Sequence, residues 1–278
     1  MIETGKGGEG LRRGRVEGKV AVITGGTMGM GFGSACALAR EGAHVTVIGR
    51  SDAGLAAADE LRKYDESAEF VRMDVSDAKG MKAVYDEVAA KYGKIDIAVN
   101  AAGVGRQMRF TDVDEDFLDM YLNINFKGMW NACHAAIPHM VKRNYGKIVN
   151  FSSVTGVMVA DPGMTAYSST KGAIMGMTKA LASEFAANNI TVNAILPGMV
   201  DTPMARRGFA ESDPVNPDAI AEAIAAQIPM KRMGTIEEAG AVALFLSCDD
   251  SAYVTGIGLV FDGGSTLPET PGSGWEPA

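Results

Sequence analysis

Val20-Ala21-Val22-Ile23-Thr24-Gly25-Gly26-Thr27-Met28-Gly29-Met30-Gly31-Phe32-Gly33 is the stretch whose reading decides the fold. An apolar, β-branched run breaks into glycines and passes into an Ala-rich stretch, which predicts a strand, a tight loop and a helix in succession. Gly25, Gly29 and Gly31 would let the backbone approach a pyrophosphate closely. The helix start would turn its N–H groups and positive dipole end toward that anion. The glycine spacing departs from the commonest dinucleotide fingerprint, and a Gly-rich turn feeding a buried helix is the plain alternative.

Working outward, strands are expected near 19–24, 44–49, 68–72, 95–99, 146–151, 190–195 and 258–262, each alternating with a helical stretch. Alternation of this kind predicts an α/β fold, a Rossmann-like doubly wound parallel sheet. The 278 residues suit a single domain, expected over 16–266, between an N-terminal extension at 1–15 expected to be flexible and a tail at 267–278.

The extension is polar and rich in Gly and Arg, without the apolar core of a secretory signal, and no run reaches the length of a membrane span. A cytoplasmic protein without a membrane partner is expected. The formal charge of −8, with no long basic run, argues against nucleic acid. Cys36, Cys133 and Cys248 are few, odd in number and far apart, and His44, His134 and His139 form no cluster, so neither a disulfide framework nor a metal site is expected.

Tyr167 and Lys171 stand four apart, and Ser153 lies fourteen residues before the tyrosine. A helix brings i and i+4 onto one face, so the Lys171 ammonium is expected beside the Tyr167 phenol. A free phenol, with a pKa of about 10, is a poor base near neutral pH, and a neighbouring cation favours its ionised form. Tyr and Lys at this spacing also occur on solvated helices, so the pair alone decides nothing.

Thr24-Gly25-x-x-x-Gly29-x-Gly31, Asn100-Ala101-Ala102-Gly103, Asn125, Ser153, Tyr167/Lys171 and Pro197-Gly198 stand in the order found in short-chain dehydrogenases/reductases, and the resemblance covers 18–264. It implies an enzyme in which Tyr167 gives or takes the proton at the substrate oxygen and Ser153 hydrogen-bonds the same oxygen. It also implies that Lys171 lowers the Tyr167 pKa and holds the nicotinamide ribose, and that Asn125 holds a water linking Lys171 to solvent. Ser152 is an equally good hydroxyl chemically; only the family register selects Ser153. Asn123 competes with Asn125 in the same way. Many members carry the serine one residue nearer the tyrosine, so the 157–165 loop is expected to hold one extra residue.

The resemblance places the cofactor against Gly25, Thr27, Met28, Gly29, Met30 and Gly31, against Asn100, Ala101, Ala102 and Gly103, and against Tyr167 and Lys171. Pro197, Gly198, Val200 and Thr202 would flank the nicotinamide, while Asp74 and the Val75 backbone would meet the adenine. The second strand ends Ile48-Gly49-Arg50-Ser51 without a carboxylate. Arg50 offers a planar multi-donor cation suited to a 2′-phosphate, and Ser51 adds a hydroxyl, so NADP(H) is expected over NAD(H). Arg50 as an ordinary surface strand end is the alternative.

A lid is expected over 201–228, where Pro203, Pro214 and Pro217 interrupt the chain and Ile220, Ile224 and Ile228 recur every four residues. Met108, Met158, Met164, Met199 and Met204 suggest an apolar small-molecule substrate. The first expectation is therefore a hydroxysteroid such as a bile acid, with Arg106, Arg109, Arg206 and Arg207 available to a substrate carboxylate. Sugar or polyol oxidation and 3-oxoacyl reduction are the alternatives. From a different class, a catalytically silent dinucleotide-binding regulator would not need Ser153, Tyr167, Lys171 and Asn125 together. The resemblance also implies a homo-oligomer, a dimer or tetramer, for which 173–181 offers many small apolar residues.

Overall fold

A computed structural model of the chain describes residues 14–268. Seven parallel strands form one sheet in the order β3-β2-β1-β4-β5-β6-β7: β1 Val20–Thr24, β2 His44–Gly49, β3 Glu69–Arg72, β4 Ile97–Asn100, β5 Gly146–Phe151, β6 Ile190–Pro197 and β7 Gly258–Phe261. Each boundary lies within two residues of its sequence expectation. The glycine run ends β1 and opens α1 (Gly29–Arg40), as the opening stretch predicts.

Strand alternation sorts the side chains into two cores. Val20, Val22, Ala98 and Ile148 face one side, where α3 (Ala78–Tyr92), α5 (Gly128–Arg143) and α6 (Thr165–Phe185) bring Tyr85, Met140 and Ile174. Ala21, Ile23, Val99 and Val149 face the other, against Leu38 of α1, Leu61 of α2 (Ala53–Leu61) and Leu246 of α9 (Ile236–Ser247). With both faces covered, the strands read as continuous apolar runs. Burying one such Ile or Leu stabilises the fold by roughly 1.5–3 kcal/mol. Helices α1 and α9 approach through Gly33 and Gly240, each of which would drive a Cβ into the other helix's backbone.

The sheet order reverses between β1 and β4, which opens a crevice beyond their C-terminal ends. Two further helices, α7 (Pro203–Ser212) and α8 (Pro217–Gln227), occupy the expected lid segment. Each begins with a polar cap followed by proline: Thr202 accepts from Ala205 N at 3.2 Å, and Asn216 from Ala219 N at 3.3 Å. Ile228 is buried, and Ile220 and Ile224 are less exposed than the opposite face of α8, so the expected isoleucine stripe turns toward the protein.

The expected N-terminal extension falls largely outside the described residues, but Arg15 is held. Its backbone N donates to Glu41 Oε2 at 2.8 Å and its guanidinium pairs with Asp250 at 2.8 Å. Thr266, at the domain's expected end, donates to the Asp262 carboxylate. Of the tail, residues 269–278 lie outside the described residues. Among the described residues, no helix is long and apolar enough to cross a membrane.

Candidate active site

The first part of the site is a cleft of about 350 Å³ at the crevice, walled by Gly25, Thr27, Met28, Gly29, Met30 and Gly31, by Arg50 and Ser51, by Ala101, Ala102 and Gly103, and by Thr202. Gly25 has φ +66°, and a Cβ there would stand 2.6 Å from Ala102 N, so only glycine lets the β1 and β4 loops meet. The bare backbone, the start of α1 and the Arg50 cation make this wall suited to a dinucleotide. Val75 also lines it, together with Ile48, Met73, Val104, Ile124, Pro203 and Met204, which carry no motif and come together only through the fold.

Several expected cofactor residues stand back from that wall. Asn100 is fully buried and donates to Asn150 Oδ1 at 2.9 Å and Cys133 Sγ at 3.4 Å, so it ties β4 to β5 and α5 beneath the cleft. Asp74 accepts from Ser76 N at 2.9 Å and Ser76 Oγ at 2.7 Å, and it lies 3.6 Å from Arg50. Those contacts hold its carboxyl below the usual range against the opposing effect of partial burial. Gly198 donates to Phe261 O at 2.9 Å and Val200 bridges Gly234, so the Pro197-Gly198 turn anchors the lid to β7 rather than lining the cleft.

Ser153, Tyr167 and Lys171 converge where β5 ends against α6. Ser152 donates to the Lys171 carbonyl at 2.8 Å and is thereby spent on helix backbone. The Ser153 hydroxyl accepts from Thr155 N at 3.1 Å and donates to Pro197 O at 3.4 Å, and its dipole acts on the Tyr167 phenol in the direction of ionisation. The fold thus separates two serines that the residues alone leave equivalent.

Lys171 Nζ donates to Phe151 O at 2.8 Å and stands 5.4 Å from the Tyr167 ring centroid. Burial pulls the lysine down to about 8. Burial also pushes the Tyr167 phenol up, against the opposing effect of the Ser153 hydroxyl. The expected lowering of the phenol by Lys171 is therefore not the dominant effect: the ammonium is directed at a carbonyl, and enclosure favours the neutral phenol.

Asn125 is fully buried in a π-helical turn, Leu122–Lys127, that links α4 (Glu115–Tyr121) to α5. Its amide accepts from Val104 N at 2.8 Å and donates to Val104 O at 3.1 Å and Thr170 Oγ1 at 3.3 Å. Within this widened turn Asn125 is the buried residue. Asn123 instead accepts from Lys127 Nζ at 3.0 Å near the surface. A Cβ at Gly103 would lie 3.4 Å from Asn125 Oδ1 and 3.9 Å from Lys171 Nζ, so the asparagine, the lysine and the dinucleotide wall meet at Gly103.

Beyond Tyr167 lies a second pocket of about 180 Å³, walled by Gly105, Arg106, Met120, Met204, Arg207 and Glu211 among others. Tyr167 does not itself line this pocket, but a Cβ at the wall residue Gly105 would stand 3.7 Å from Tyr167 Cε2 and 3.4 Å from Met204 Sδ, so the wall and the tyrosine are neighbours there. Of the methionines expected to make a greasy lining, only Met204 reaches it. Met108 packs on the Phe117–Tyr121 cluster, while Met158 and Met199 are exposed.

A family profile described as "Enoyl-(Acyl carrier protein) reductase" matches residues 25–266. The oxidoreductase UcpA of Escherichia coli (strain K12) is 46% identical over 257 residues, covering 92% of this chain and 98% of the relative. The 3-oxoacyl-[acyl-carrier-protein] reductase FabG of Thermotoga maritima is 39% identical over 257 residues, covering 91% of this chain and all (100%) of the relative. The crystal structure of levodione reductase superposes with a TM-score of 0.85 at 31% identity, covering 90% of this chain and 98% of that one.

Proposed function

The chain belongs to the short-chain dehydrogenase/reductase family, and from that premise we propose that it is an NADP(H)-dependent carbonyl reductase interconverting a compact ketone and its secondary alcohol. The observation that carries the proposal is the convergence of Ser153, Tyr167 and Lys171 beside the glycine-walled cleft.

Gly25 to Gly31 would hold the pyrophosphate, Arg50 and Ser51 the 2′-phosphate, and Lys171 the ribose. The bound nicotinamide supplies or accepts the hydride. Tyr167 donates its phenolic proton to the carbonyl oxygen, and Ser153 hydrogen-bonds that oxygen as negative charge develops. The enclosure that raises the Tyr167 pKa keeps the proton on the phenol, the form that carbonyl reduction requires. Lys171, at about 8, is mostly cationic at pH 7 and stabilises the phenolate left behind. Asn125 fixes Val104 and with it the loop bearing Gly103, so a water held there would connect Lys171 to solvent.

The Arg50–Asp74 separation of 3.6 Å, with both side chains half exposed, makes a weak pair that a phosphate can displace. For the substrate, the support favours a 3-oxoacyl compound or a small cyclic ketone or sugar over a hydroxysteroid. FabG is named for 3-oxoacyl reduction, levodione reductase for reduction of levodione, and a Thermoplasma acidophilum structure of 27% identity is that of an aldohexose dehydrogenase. The 180 Å³ pocket is also below the roughly 300 Å³ at which drug-sized ligand pockets begin, and it is walled partly by charge. Self-association through α5 and α6 accompanies the proposal, supported by exposed Trp130, Ala173, Gly176 and Ala180 on those helices.

The test is initial-rate NADPH oxidation on 3-oxoacyl thioesters, cyclic diketones, aldoses, enoyl thioesters and oxo-bile acids. Fluorescence titration of NADPH and NADH with wild type and Arg50→Ala accompanies it. Ketone reduction with NADPH preferred, and the preference lost in Arg50→Ala, is expected. Turnover of oxo-bile acids alone would return the substrate to the steroid class, and equal binding of both dinucleotides would remove the role of Arg50.

A further inference from the structure

Of the four arginines that the sequence offers to an anion near the site, the fold engages one elsewhere, leaves one off the wall and brings two together. Arg206 donates to both Asp201 oxygens at 2.6 Å and to Asp218 at 2.8 Å, so it staples α7 to α8 and to the loop after β6. Arg109 precedes a short 3-10 turn and does not line the pocket. Arg106 and Arg207 share the wall of the pocket beside Tyr167 while coming from separate elements, the segment after β4 and α7.

Successive residues of a helix point about 100° apart. Once Arg206 is tied to Asp201 and Asp218, Arg207 is directed toward the cleft. Among the described residues neither Arg106 nor Arg207 forms an ion pair, in contrast to Arg206. Glu211, one helical turn after Arg207, is the acidic residue on this wall, so two basic residues and one acidic residue line it. Val104, Met120 and Met204 supply the apolar part of this wall.

We infer that the substrate carries an anionic group, a carboxylate or a phosphate, which Arg106 and Arg207 receive while Tyr167 meets the carbonyl oxygen. The inference rests on the proposed carbonyl reduction. It sets the specificity of that site: the anion sits at one end of the pocket, the ketone at the other, and a short carbon chain along the methionines. A guanidinium presents a planar fork of donors that matches either anion, which an apolar wall would reject.

The test compares kcat/KM of the full-length protein, with NADPH, on a short oxo acid, its methyl ester and a matched oxo phosphate. Wild type is expected to prefer at least one of the anions over the ester by about a hundredfold, the size of a charge-assisted pair. In Arg207→Met and in Arg106→Met that ratio is expected to fall toward one. Arg109→Met removes the same charge outside the pocket and is expected to keep the ratio. An equal fall in Arg109→Met would reduce the effect to the bulk field of the protein and overturn the inference. Arg207 also lines the dinucleotide cleft, so NADPH affinity is titrated for each variant. Weaker NADPH binding with an intact anion preference assigns Arg207 to the cofactor and overturns the inference. Equal turnover of acid, phosphate and ester overturns it while carbonyl reduction stands. Turnover of no ketone removes that reading and this one with it.

Discussion

Replacing Lys171 by Met separates what this residue does for chemistry from what it costs the fold. Burial lowers the lysine from its ordinary 10.5 to about 8. Between those values the unfolded chain holds a proton that the folded chain does not, so the group's contribution to stability rises with pH across that window. Below it, the fold carries the full cost of a buried ammonium. At 1.36 kcal/mol per pKa unit the cost is about 3 kcal/mol at pH 7 and about 2 kcal/mol at pH 9. Methionine has nearly the same length and removes the charge, but it leaves Phe151 O without the Lys171 hydrogen bond, at about 1 kcal/mol. The variant is therefore expected to be more stable than wild type by about 2 kcal/mol at pH 7, and the gap to narrow by about 1 kcal/mol at pH 9. Its reductase activity is expected to collapse. Urea unfolding of both proteins without cofactor, at matched protomer concentration and at both pH values, measures the gap. A variant less stable than wild type at pH 7, or a gap that does not change with pH, would refute the desolvation argument and leave Lys171 as a stabilising hydrogen bond only.

Tyr167→Phe removes the proton donor and keeps the ring, so kcat is expected to fall by about 10²–10⁴ while NADPH titration stays near wild type. In wild type, reductive kcat/KM is expected to decline as pH rises through about 8, because Lys171 loses its charge there; a pH–rate profile from 6 to 10 checks this. Gly25→Ala places a Cβ 2.6 Å from Ala102 N at φ +66°, where no side chain can yield, and is expected to cost about 1–3 kcal/mol and most NADPH binding; calorimetry and fluorescence report the two separately. Asn125→Leu leaves Val104 N and O unpaired in the interior, and a loss of about 2 kcal/mol in urea is expected together with reduced activity.

The sequence by itself determined the strand–loop–helix at 20–33, the alternation behind the doubly wound sheet and the i, i+4 placement of Tyr167 and Lys171. Each depends on local chemistry: β-branched runs, glycines at a turn, and the period of a helix. What the fold alone decided turns on contacts between distant segments. Ser152 and Ser153 are chemically alike until β5 and α6 meet and the Lys171 carbonyl takes one of them. Asn123 and Asn125 are told apart by the Val104 backbone some twenty residues away, which Asn125 engages from within the π turn. Asn100 reads as a cleft residue from its motif, yet the sheet buries it against Asn150 and Cys133. Four arginines look equal until Asp201 and Asp218 remove Arg206. The Tyr167 pKa shows the same division, since a neighbouring lysine is legible from spacing, whereas the enclosure that outweighs it belongs to every element packed around the phenol.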